Sequence, residues 1–341
     1  MKVPKISVLV PSFNVEKSLR LCLESILNQS FTDFEVIILN DGSADNTLKI
    51  AKEFEKRDKR IKVSSSKKNL GYGTAMNRGL SLAKGSYIAI VEPDDFIHKN
   101  FLSTLYGLAK HYKVDIVKCS YMNNYMKTGK AVEEVLFHKN HEHIETDTII
   151  DPIENQNVFL TQPTIWSAIY NRKMLEKNSI KFLETPGASY QDVGFQFKAF
   201  VSSKSVYCTN LPLYYYCRDN ENSSVKSTKK VEAVIKEYNE LENFIAKRPE
   251  LKQVLSICRA RSYMWNANRL KFKTAHKFAK KAGKIKLDTT GFDLNSAHEL
   301  KFFSRHPRIY VVIRPLFWFK NWAMHTAYKI VNVIMVKRSV K

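Results

Sequence analysis

Short apolar runs alternate with amphipathic helical segments through the first hundred residues, and this alternation limits the possible folds more than any other feature. The apolar runs have the length and continuous hydrophobicity of strands that are buried on both faces of a sheet. Between the first two runs, Leu19, Cys22 and Leu23 recur at helical spacing. Such an alternation predicts a mostly parallel sheet covered by helices on both faces. The predicted strands are 6–10, 34–39, 61–63 and 87–91.

Three polar clusters follow the first, second and fourth predicted strands. Ligands of parallel α/β sheets bind beyond the carboxyl ends of the strands, so we expect these clusters to meet at one edge of the sheet. The clusters are Pro11-Ser12-Phe13-Asn14, Asn40-Asp41-Gly42-Ser43 and Glu92-Pro93-Asp94-Asp95.

The acidic cluster has the chemistry of a divalent-metal site. Carboxylates such as Glu92 and Asp94 at a strand end are hard oxygen ligands, which Mg²⁺ or Mn²⁺ takes beside a diphosphate. A metal there would neutralise charge that develops on a leaving diphosphate. The alternative is an acidic turn in which Asp95 caps the helix that runs through Phe101.

Two further segments have features of a nucleotide site. Asp41 can accept a hydrogen bond from a base or a ribose, although the same segment also makes a turn that ends a strand. In the loop 67–73, backbone N–H groups and the charge of Lys68 favour a phosphate. The loop has neither the GxGxxG pattern nor the Walker A pattern, so the sequence indicates no Rossmann dinucleotide site and no P-loop.

The order of these motifs resembles family 2 of the inverting GT-A glycosyltransferases. That family opens with a strand and a Pro-x-(Tyr/Phe)-Asn turn and continues with an aspartate–glycine–serine turn and an asparagine–glycine loop. It then places an Asp-x-Asp-Asp metal motif after the fourth strand. The matching segments are 11–14, 41–43, 69–71 with 75–80, and 92–95. The resemblance is specific over residues 5–100, looser to about residue 225, and absent from the C-terminal quarter.

The resemblance implies a GT-A catalytic domain at 1–225, with the nucleotide-sugar half at 1–115 and the acceptor half at 116–225. It implies a nucleotide-diphosphate donor, with UDP-hexose or UDP-N-acetylhexosamine expected, and Mn²⁺ or Mg²⁺ held by Asp94 and Glu92. The expected acceptor is a glycan or lipid-linked glycan of cell-surface polysaccharide synthesis. The implied donor-binding residues are Pro11, Phe13, Asn14, Asp41, Lys68, Gly71, Asn77, Asp94 and Arg218.

The resemblance also places a general base roughly a hundred residues after the metal motif. An inverting transferase needs one carboxylate to take the proton of the acceptor hydroxyl. Asp192 is the matching acid, with Gln191 beside it on the acceptor side. Trp166 matches an acceptor-side aromatic residue, and Arg218 matches a residue that holds the diphosphate. The alternatives are a helix cap at Asp192, a core tryptophan and a solvated arginine.

Two residues depart from the family pattern. The first acid of the metal motif is Glu92 instead of aspartate, and its extra methylene makes Asp94 the expected direct metal ligand. The helix after the loop reads Ala75-Met76-Asn77, where family members often have arginine in the middle. Arg78 is the neighbouring basic residue.

The pattern is less regular after residue 115 and becomes helical after about residue 228. A helical region is therefore expected at 226–341. Strands are predicted at 115–119, 165–170 and 213–216, a loop or hairpin at 127–150, and helices at 229–246, 250–270 and 272–283.

The formal net charge of +22 predicts a polyanionic partner. Residues 301–341 contain nine Lys or Arg and no acid, interleaved with aromatic residues, which predicts a tail on an anionic membrane surface. The alternatives for this tail are a helical hairpin packed on the catalytic domain and a nucleic-acid-binding element. No zinc-finger, helix-turn-helix or RNA-binding signature accompanies the charge, so no nucleic-acid partner is expected.

The location expected from the sequence is the cytoplasm, peripheral on the inner face of the membrane. The five cysteines lack metal-ligand spacing, which favours free thiols in a reducing compartment. The N-terminal apolar run is short, and no stretch reaches the ~18 apolar residues of a membrane span.

Two rival functions remain at this point. A nucleotidyltransferase shares the general sheet and the metal, but its glycine-rich N-terminal loop with an activating arginine and lysine is absent. A basic nucleic-acid-binding protein accounts for the charge but not for the acidic motif.

Overall fold

The computed structural model describes residues 3–125, 130–135, 144–218, 231–292 and 297–315. Within these residues the fold is built on one mixed sheet of ten strands. The strands are β1 (Ile6–Ser12), β2 (Phe34–Asp41), β3 (Ile61–Ser66), β4 (Tyr87–Ile90), β5 (Phe96–Ile97), β6 (Ile116–Tyr125), β7 (Lys130–Val135), β8 (Ile149–Ile150), β9 (Ala168–Asn171) and β10 (Val206–Cys217). The four strands expected in the first hundred residues each begin at the predicted residue.

Most strands of the sheet run in one direction. The strand order is β3-β2-β1-β4-β9-β6-β10-β5, with β7 beside β6 and β8 beside β10. β1 to β4 pair in parallel, β9 is antiparallel to both β4 and β6, and β6 is parallel to β10. Six strands therefore share a direction, and their carboxyl ends lie at one edge, which we call the site edge. It carries the residues after β1, β2, β4 and β10.

Helices cover the sheet through one apolar face each. In α1, Leu19, Cys22 and Leu23 are buried because residues three and four apart share a side of a helix. The predicted α/β class with a mostly parallel sheet is confirmed. The helices are α1 (Leu19–Leu27), α2 (Thr47–Arg57), α3 (Tyr72–Leu82), α4 (Phe101–Tyr112), α5 (Arg172–Lys177), α6 (Gln191–Ser202), α7 (Ala233–Phe244), α8 (Lys252–Arg269), α9 (Phe272–Ala282) and α10 (Ala297–Arg305).

The run 165–170, predicted as one strand, has a different structure. Its first part is a 3-10 turn, Ile165–Ser167, and the strand β9 begins only at Ala168. The turn supplies acceptors for the buried ammonium of Lys118, which donates to the carbonyl oxygen and Oγ1 of Thr164 at 2.5 and 2.7 Å. A buried ammonium needs such acceptors, and a strand here would not bring both atoms to it. Burial lowers the pKa of Lys118 to about 8.

The region 127–150, predicted as a loop or a hairpin, contributes two strands that pair with other strands of the sheet and not with each other. β7 pairs antiparallel with β6, and β8 pairs antiparallel with the first residues of β10. β8 therefore lies at the edge of the sheet opposite the site edge. Residues 126–129 and 136–143 lie outside the described part of the chain.

The chain divides into two compact units, 1–251 and 252–341. The first unit holds the sheet and α1 to α7, so the helix α7 belongs to it. The second unit holds α8, α9 and α10, and the basic tail beyond residue 315 lies outside its described residues. In the described ranges of the chain, no helix combines the length and the apolar character that crossing a membrane requires. All five cysteines are free, and three of them are buried.

Candidate active site

The first and second polar clusters contact each other at the site edge. The backbone N–H of Asn14 donates to Oγ of Ser43 (3.0 Å), and Oδ1 of Asn14 accepts from the backbone N–H of Ala44 (2.8 Å). Asn14 has a φ of 53°, a left-handed conformation that asparagine tolerates better than most residues. Pro11 is buried in β1, while Phe13 is 44% exposed beside these turns. The strand end thus presents an aromatic ring to solvent beside two joined loops.

Asp41 is buried, and its carboxylate holds the loop that follows β3. Oδ1 accepts from Oγ of Ser66 (2.9 Å), and the two oxygens together accept from the backbone N–H groups of Leu70 and Gly71, the latter at 2.8 Å. A carboxylate offers about four acceptor positions, and these contacts engage both oxygens. Asp41 therefore builds the loop that carries Lys68, whose side chain is exposed at the site edge.

Replacing Asp41 with alanine should weaken nucleotide binding by about 1–3 kcal/mol, the range for a hydrogen bond to a charged group. The reason is that the loop 66–71 loses the acceptor that orders it. The measurement is calorimetric titration with a nucleoside diphosphate and Mn²⁺. Ser66→Ala, which removes one donor and keeps the carboxylate, should have a smaller effect. A lower melting temperature with unchanged nucleotide affinity would assign Asp41 to stability alone.

The start of α3 packs closely on residues 182–187, which we call the clasp segment. The backbone N–H of Tyr72 donates to the carbonyl oxygen of Gly187 (3.1 Å). Oδ1 of Asn77 accepts from the N–H of Phe182 (2.8 Å), and its Nδ2 donates to the carbonyl oxygen of the same residue (3.0 Å). Asn77 thus joins the helix after the phosphate-type loop to the part of the chain that leads to Asp192.

Two glycines make this close packing possible. Gly71 has a φ of 98°, and a Cβ there would lie 2.8 Å from the carbonyl oxygen of Thr185. A Cβ on Gly73 would lie 2.2 Å from the carbonyl oxygen of Leu183. Side chains at either position would push α3 away from the clasp segment.

The acidic cluster after β4 divides into two environments. Asp95 is buried and accepts from the phenol of Tyr214 (3.0 Å) and the backbone N–H of Cys217 (2.8 Å), so it ties β4 to β10. Glu92 and Asp94 are partly exposed. The phenol of Tyr72 donates to Glu92 (2.7 Å), and the hydroxyl of Ser18 donates to Asp94 (3.2 Å). Asp95 is therefore structural, and the other two carboxylates face the site.

Burial raises the pKa of Glu92 to about 7, although the hydrogen bond from Tyr72 lowers this pKa. The negative charges of Asp94 and Asp192 raise it further. Carboxylates that interact in this way raise the cost of ionising one another, and a bound cation would offset that cost.

Glu92 and Asp94 fit a magnesium- or manganese-type site by their chemistry. Among the described residues, no group of three or more His, Cys, Asp or Glu side chains is placed to hold a metal. Mg²⁺ commonly binds through one or two carboxylates and completes its shell with waters and substrate phosphates. The carboxylates of Glu92 and Asp94, near the loop that carries Lys68, suit a site in which the protein and a bound diphosphate both supply metal ligands.

Asp192 lies in the first turn of α6, whose preceding residue Tyr190 has a left-handed φ of 68°. Tyr190 holds the N-cap position of α6, and Asp192 accepts from the adjacent N–H of Val193 (2.9 Å). Burial raises the pKa of Asp192 to about 6, against backbone hydrogen bonds that lower it. The carbonyl oxygen of Gly187 accepts from the N–H of Tyr72 and from the amide of Gln191, which brings the turn before Asp192 beside the start of α3.

Gln191 is buried and stabilises the turn before α6. Its amide donates to Oγ1 of Thr185 (2.8 Å) and to the carbonyl oxygen of Gly187 (3.1 Å), and its oxygen accepts from the N–H of Ser189 (2.5 Å). The amide therefore orders the clasp segment and the approach to Asp192.

Trp166 packs among three tyrosines near the site edge. Its ring is stacked on Tyr214 at 4.3 Å and on Tyr216 at 5.3 Å between centroids, and Tyr121 meets it edge-on at 4.9 Å. Tyr214 also accepts from the backbone N–H of Glu92 (3.1 Å), so this aromatic group is joined to the acidic cluster. Arg218 is exposed, and its guanidinium lies 5.5 Å from the ring centre of Tyr216. The packing favours the core-tryptophan alternative for most of the Trp166 surface.

Tyr72 and Tyr214 were not predicted as site residues, yet both contact the acidic cluster. Tyr72 follows Gly71 of the loop, and a tyrosine at the start of a helix does not by itself indicate a functional site. Tyr214 lies in the run Tyr214-Tyr215-Tyr216, within the strand predicted at 213–216. Both hydroxyls are directed by tertiary packing, which explains why the sequence pattern did not reveal them.

Glu237 is a third side chain near the site that was not predicted. It is fully buried on α7, and neither carboxylate oxygen has a hydrogen-bond partner among the described residues. It lies against Gly194 of α6, where an added Cβ would come within 2.2 Å of Oε2. Burial raises the pKa of Glu237 to about 8, against the charge of Lys198, which lowers it.

We expect Glu237→Gln to stabilise the protein at pH 8 and to have little effect at pH 5. The folded state keeps the proton on Glu237 up to about pH 8, whereas the unfolded chain releases it above its ordinary value of 4.5. The wild type therefore loses stability as pH rises between these values, by about 1.4 kcal/mol per pH unit at most. Thermal melting at both pH values tests this. Equal effects at pH 5 and pH 8 would show that Glu237 ionises normally.

Comparisons with known proteins identify the family of the chain. Residues 7–178 match the family model described as Glycosyl transferase family 2, and the chain belongs to that family. The protein EpsH of Bacillus subtilis (strain 168), which is named as a glycosyltransferase, is 32% identical over 217 residues. That alignment covers 63% of this chain and 61% of EpsH, so the chain spans about three fifths of that relative.

Solved structures share the fold. The chain is similar to S. aureus TarS 1-349, solved in complex with UDP-GlcNAc, with a TM-score of 0.66, 22% identity and 82% of each chain covered. It is also similar to the mannosyltransferase PcManGT from Pyrobaculum calidifontis, solved with GDP-Man and Mn²⁺. That likeness has a TM-score of 0.51 and 16% identity, and it covers 96% of this chain and 86% of the other.

Proposed function

We propose that this chain transfers a sugar from a nucleoside-diphosphate donor to a hydroxyl of a glycan acceptor, with inversion at the anomeric carbon. The observation that carries the proposal is the contact of Tyr72, which follows the loop held by Asp41, with both Glu92 and the turn before Asp192. Membership of glycosyl transferase family 2 supports the same reaction class.

Each group at the site edge has a separate role in the proposed reaction. The exposed Lys68 and the N–H groups of its loop would bind the diphosphate, with Arg218 approaching it from the end of β10. Asp192 would accept the proton of the acceptor hydroxyl as its oxygen attacks the anomeric carbon. Its pKa of about 6 suits a base that is ionised at neutral pH and still takes a proton readily.

Asp94 and Glu92 are the residues that would hold a divalent cation. Mn²⁺ or Mg²⁺ bound there supplies positive charge to the diphosphate leaving group. Ser18 orients Asp94 and Tyr72 orients Glu92, so both carboxylates are held before any ligand arrives.

For the donor we propose a UDP-sugar, UDP-hexose or UDP-N-acetylhexosamine, on the support of the likeness to TarS in complex with UDP-GlcNAc. For the acceptor we propose a glycan of cell-surface polysaccharide synthesis, free or lipid-linked. Exposed Phe13 and the exposed edge of the Trp166 and Tyr216 group are candidate platforms for a base and a sugar ring. Peripheral association with the inner face of the membrane is proposed for a lipid-linked acceptor.

Ligand-induced stabilisation tests the proposal. A nucleoside diphosphate with Mn²⁺ should raise the melting temperature, because a ligand that binds only the folded state stabilises it. A panel of nucleotide sugars should then identify the donor by hydrolysis. A nucleotidyltransferase would instead respond to a nucleoside triphosphate, and a nucleic-acid-binding protein to oligonucleotides with steep salt dependence. Either response without a nucleoside-diphosphate effect contradicts the proposal.

A further inference from the structure

Half of the net charge of the chain lies in one short part of the second unit. Between Lys252 and Leu287 there are eleven Lys or Arg and no Asp or Glu, against a formal net charge of +22 for all 341 residues. This stretch forms α8 and α9 and the turn between them. Such a concentration repels itself in the folded state, so it is expected to have a polyanionic partner.

The lysines of α9 form a face. Lys273, Lys277 and Lys280 recur at spacings of four and three residues, which places them on one side of the helix, and all three are exposed. The opposite side, Ala275, Phe278 and Ala279, is buried within the second unit. We call the exposed side the lysine face. Its continuation beyond the helix includes the exposed Lys284 and Lys286.

Two exposed aromatic rings lie in the same basic stretch, Phe272 at the start of α9 and Trp265 near the end of α8. Phe272 is 52% exposed between Lys271 and Lys273, and Trp265 is 47% exposed on the last turns of α8. The guanidinium of Arg269 lies 4.8 Å from the centre of the Trp265 ring. Exposed aromatic rings combined with cations suit a partner surface that offers both negative charge and an apolar layer.

We infer that the lysine face with Phe272 and Trp265 docks on an anionic lipid bilayer. A bilayer matches both features, because its headgroups supply phosphate charge and its headgroup–acyl boundary accepts aromatic rings. A soluble polyanion would match the lysines and leave the rings in water. The surface lies on described helices and is independent of the tail beyond residue 315. It also does not depend on the proposed transfer reaction.

Vesicle partitioning of the full chain tests the inference. The chain should bind vesicles of phosphatidylcholine with phosphatidylserine and should not bind vesicles of phosphatidylcholine alone. Lys273→Gln, Lys277→Gln and Lys280→Gln combined should lower the partition coefficient on the order of a hundredfold, since each lysine near such a surface contributes about fivefold. Phe272→Ala should lower it further at high salt, where the ring contributes most.

The matched control is the triple variant Lys56→Gln, Lys59→Gln and Lys110→Gln. These lysines are also exposed and lie in the first unit, with Lys56 in the last turn of α2, and their substitution removes the same charge. The control should bind nearly as well as the wild type. Equal losses in both triple variants would show that net charge alone acts, and an unchanged lysine-face variant would assign binding to another segment; either result overturns the inference. The inference is also overturned if the chain binds soluble polyphosphate and Phe272→Ala has no effect on vesicle binding.

Donor binding separates this inference from the proposed function. Both triple variants should keep the melting shift with a nucleoside diphosphate and Mn²⁺, because no substituted lysine lies at the site edge. Vesicle binding without any nucleotide shift would leave the lysine face in place and remove the transferase proposal. A nucleotide shift without vesicle binding would keep the transferase proposal and overturn the inference about the lysine face.

Discussion

Asp94→Asn should abolish sugar transfer while leaving the fold intact. The substitution keeps the shape of the side chain and the oxygen that accepts from Ser18, but it removes the negative charge proposed to hold a divalent cation. Without that cation, the negative charge that develops on the leaving diphosphate is not neutralised, which should cost at least ~10²-fold in turnover. Turnover with Mn²⁺ and Mg²⁺ titrations, together with the melting temperature, measures both effects.

The control for this variant is Asp151→Asn. Asp151 is exposed and follows β8 at the opposite edge of the sheet, and its carboxylate accepts a local hydrogen bond from the backbone N–H of Ile153 (2.8 Å). It should turn over like the wild type. Near-normal turnover of Asp94→Asn in Mn²⁺ would remove Asp94 from the proposed metal site.

Asp192→Asn should still bind the donor nucleotide but transfer sugar at least ~10²-fold more slowly, the usual scale of general-base catalysis. Asparagine keeps the oxygen that accepts from Val193, so the start of α6 should be preserved. Calorimetric donor binding and single-turnover transfer separate the two steps. If donor binding collapses and transfer per bound donor persists, Asp192 is a structural residue of α6.

The pH dependence gives a second measure of the same role. Because a base must be deprotonated to act and the pKa of Asp192 is about 6, kcat/KM should rise with pH through about 6. That limb should disappear in Asp192→Asn. Glu237→Gln removes another buried carboxyl close to Asp192 and should keep the limb, with transfer within a few-fold of the wild type. A limb that survives in Asp192→Asn would place the titrating group elsewhere.

Local patterns were enough to predict the framework of the fold. The first four strands begin at the predicted residues because apolar runs and the turn residues after them are decided within a few positions. The convergence of the polar clusters also followed from topology, since parallel strands end at one edge. The prediction for 165–170 was wrong because Lys118, from another strand, draws Thr164 into a turn.

The contacts of individual site residues could not be predicted in the same way. Asp41 contacts backbone groups about 30 residues away, and Asn77 contacts Phe182, 105 residues away. Polar side chains in a motif can either face a ligand or satisfy buried backbone groups, and only the tertiary structure distinguishes the two. The roles of Asp94, Asp192 and Arg218 in catalysis and binding stay predictions.

The close packing of α3 on the clasp segment restricts how hybrid transferases can be built. A chimera that takes the donor half from one relative and the acceptor half from another would cut between Asn77 and Phe182. Asn77 bonds the backbone of Phe182, whose buried ring also stacks on Phe195 (4.2 Å between centroids), and glycine at positions 71 and 73 lets α3 approach the clasp segment. We therefore expect a working hybrid to retain Gly71, Gly73 and Asn77 together with a clasp segment that fits them.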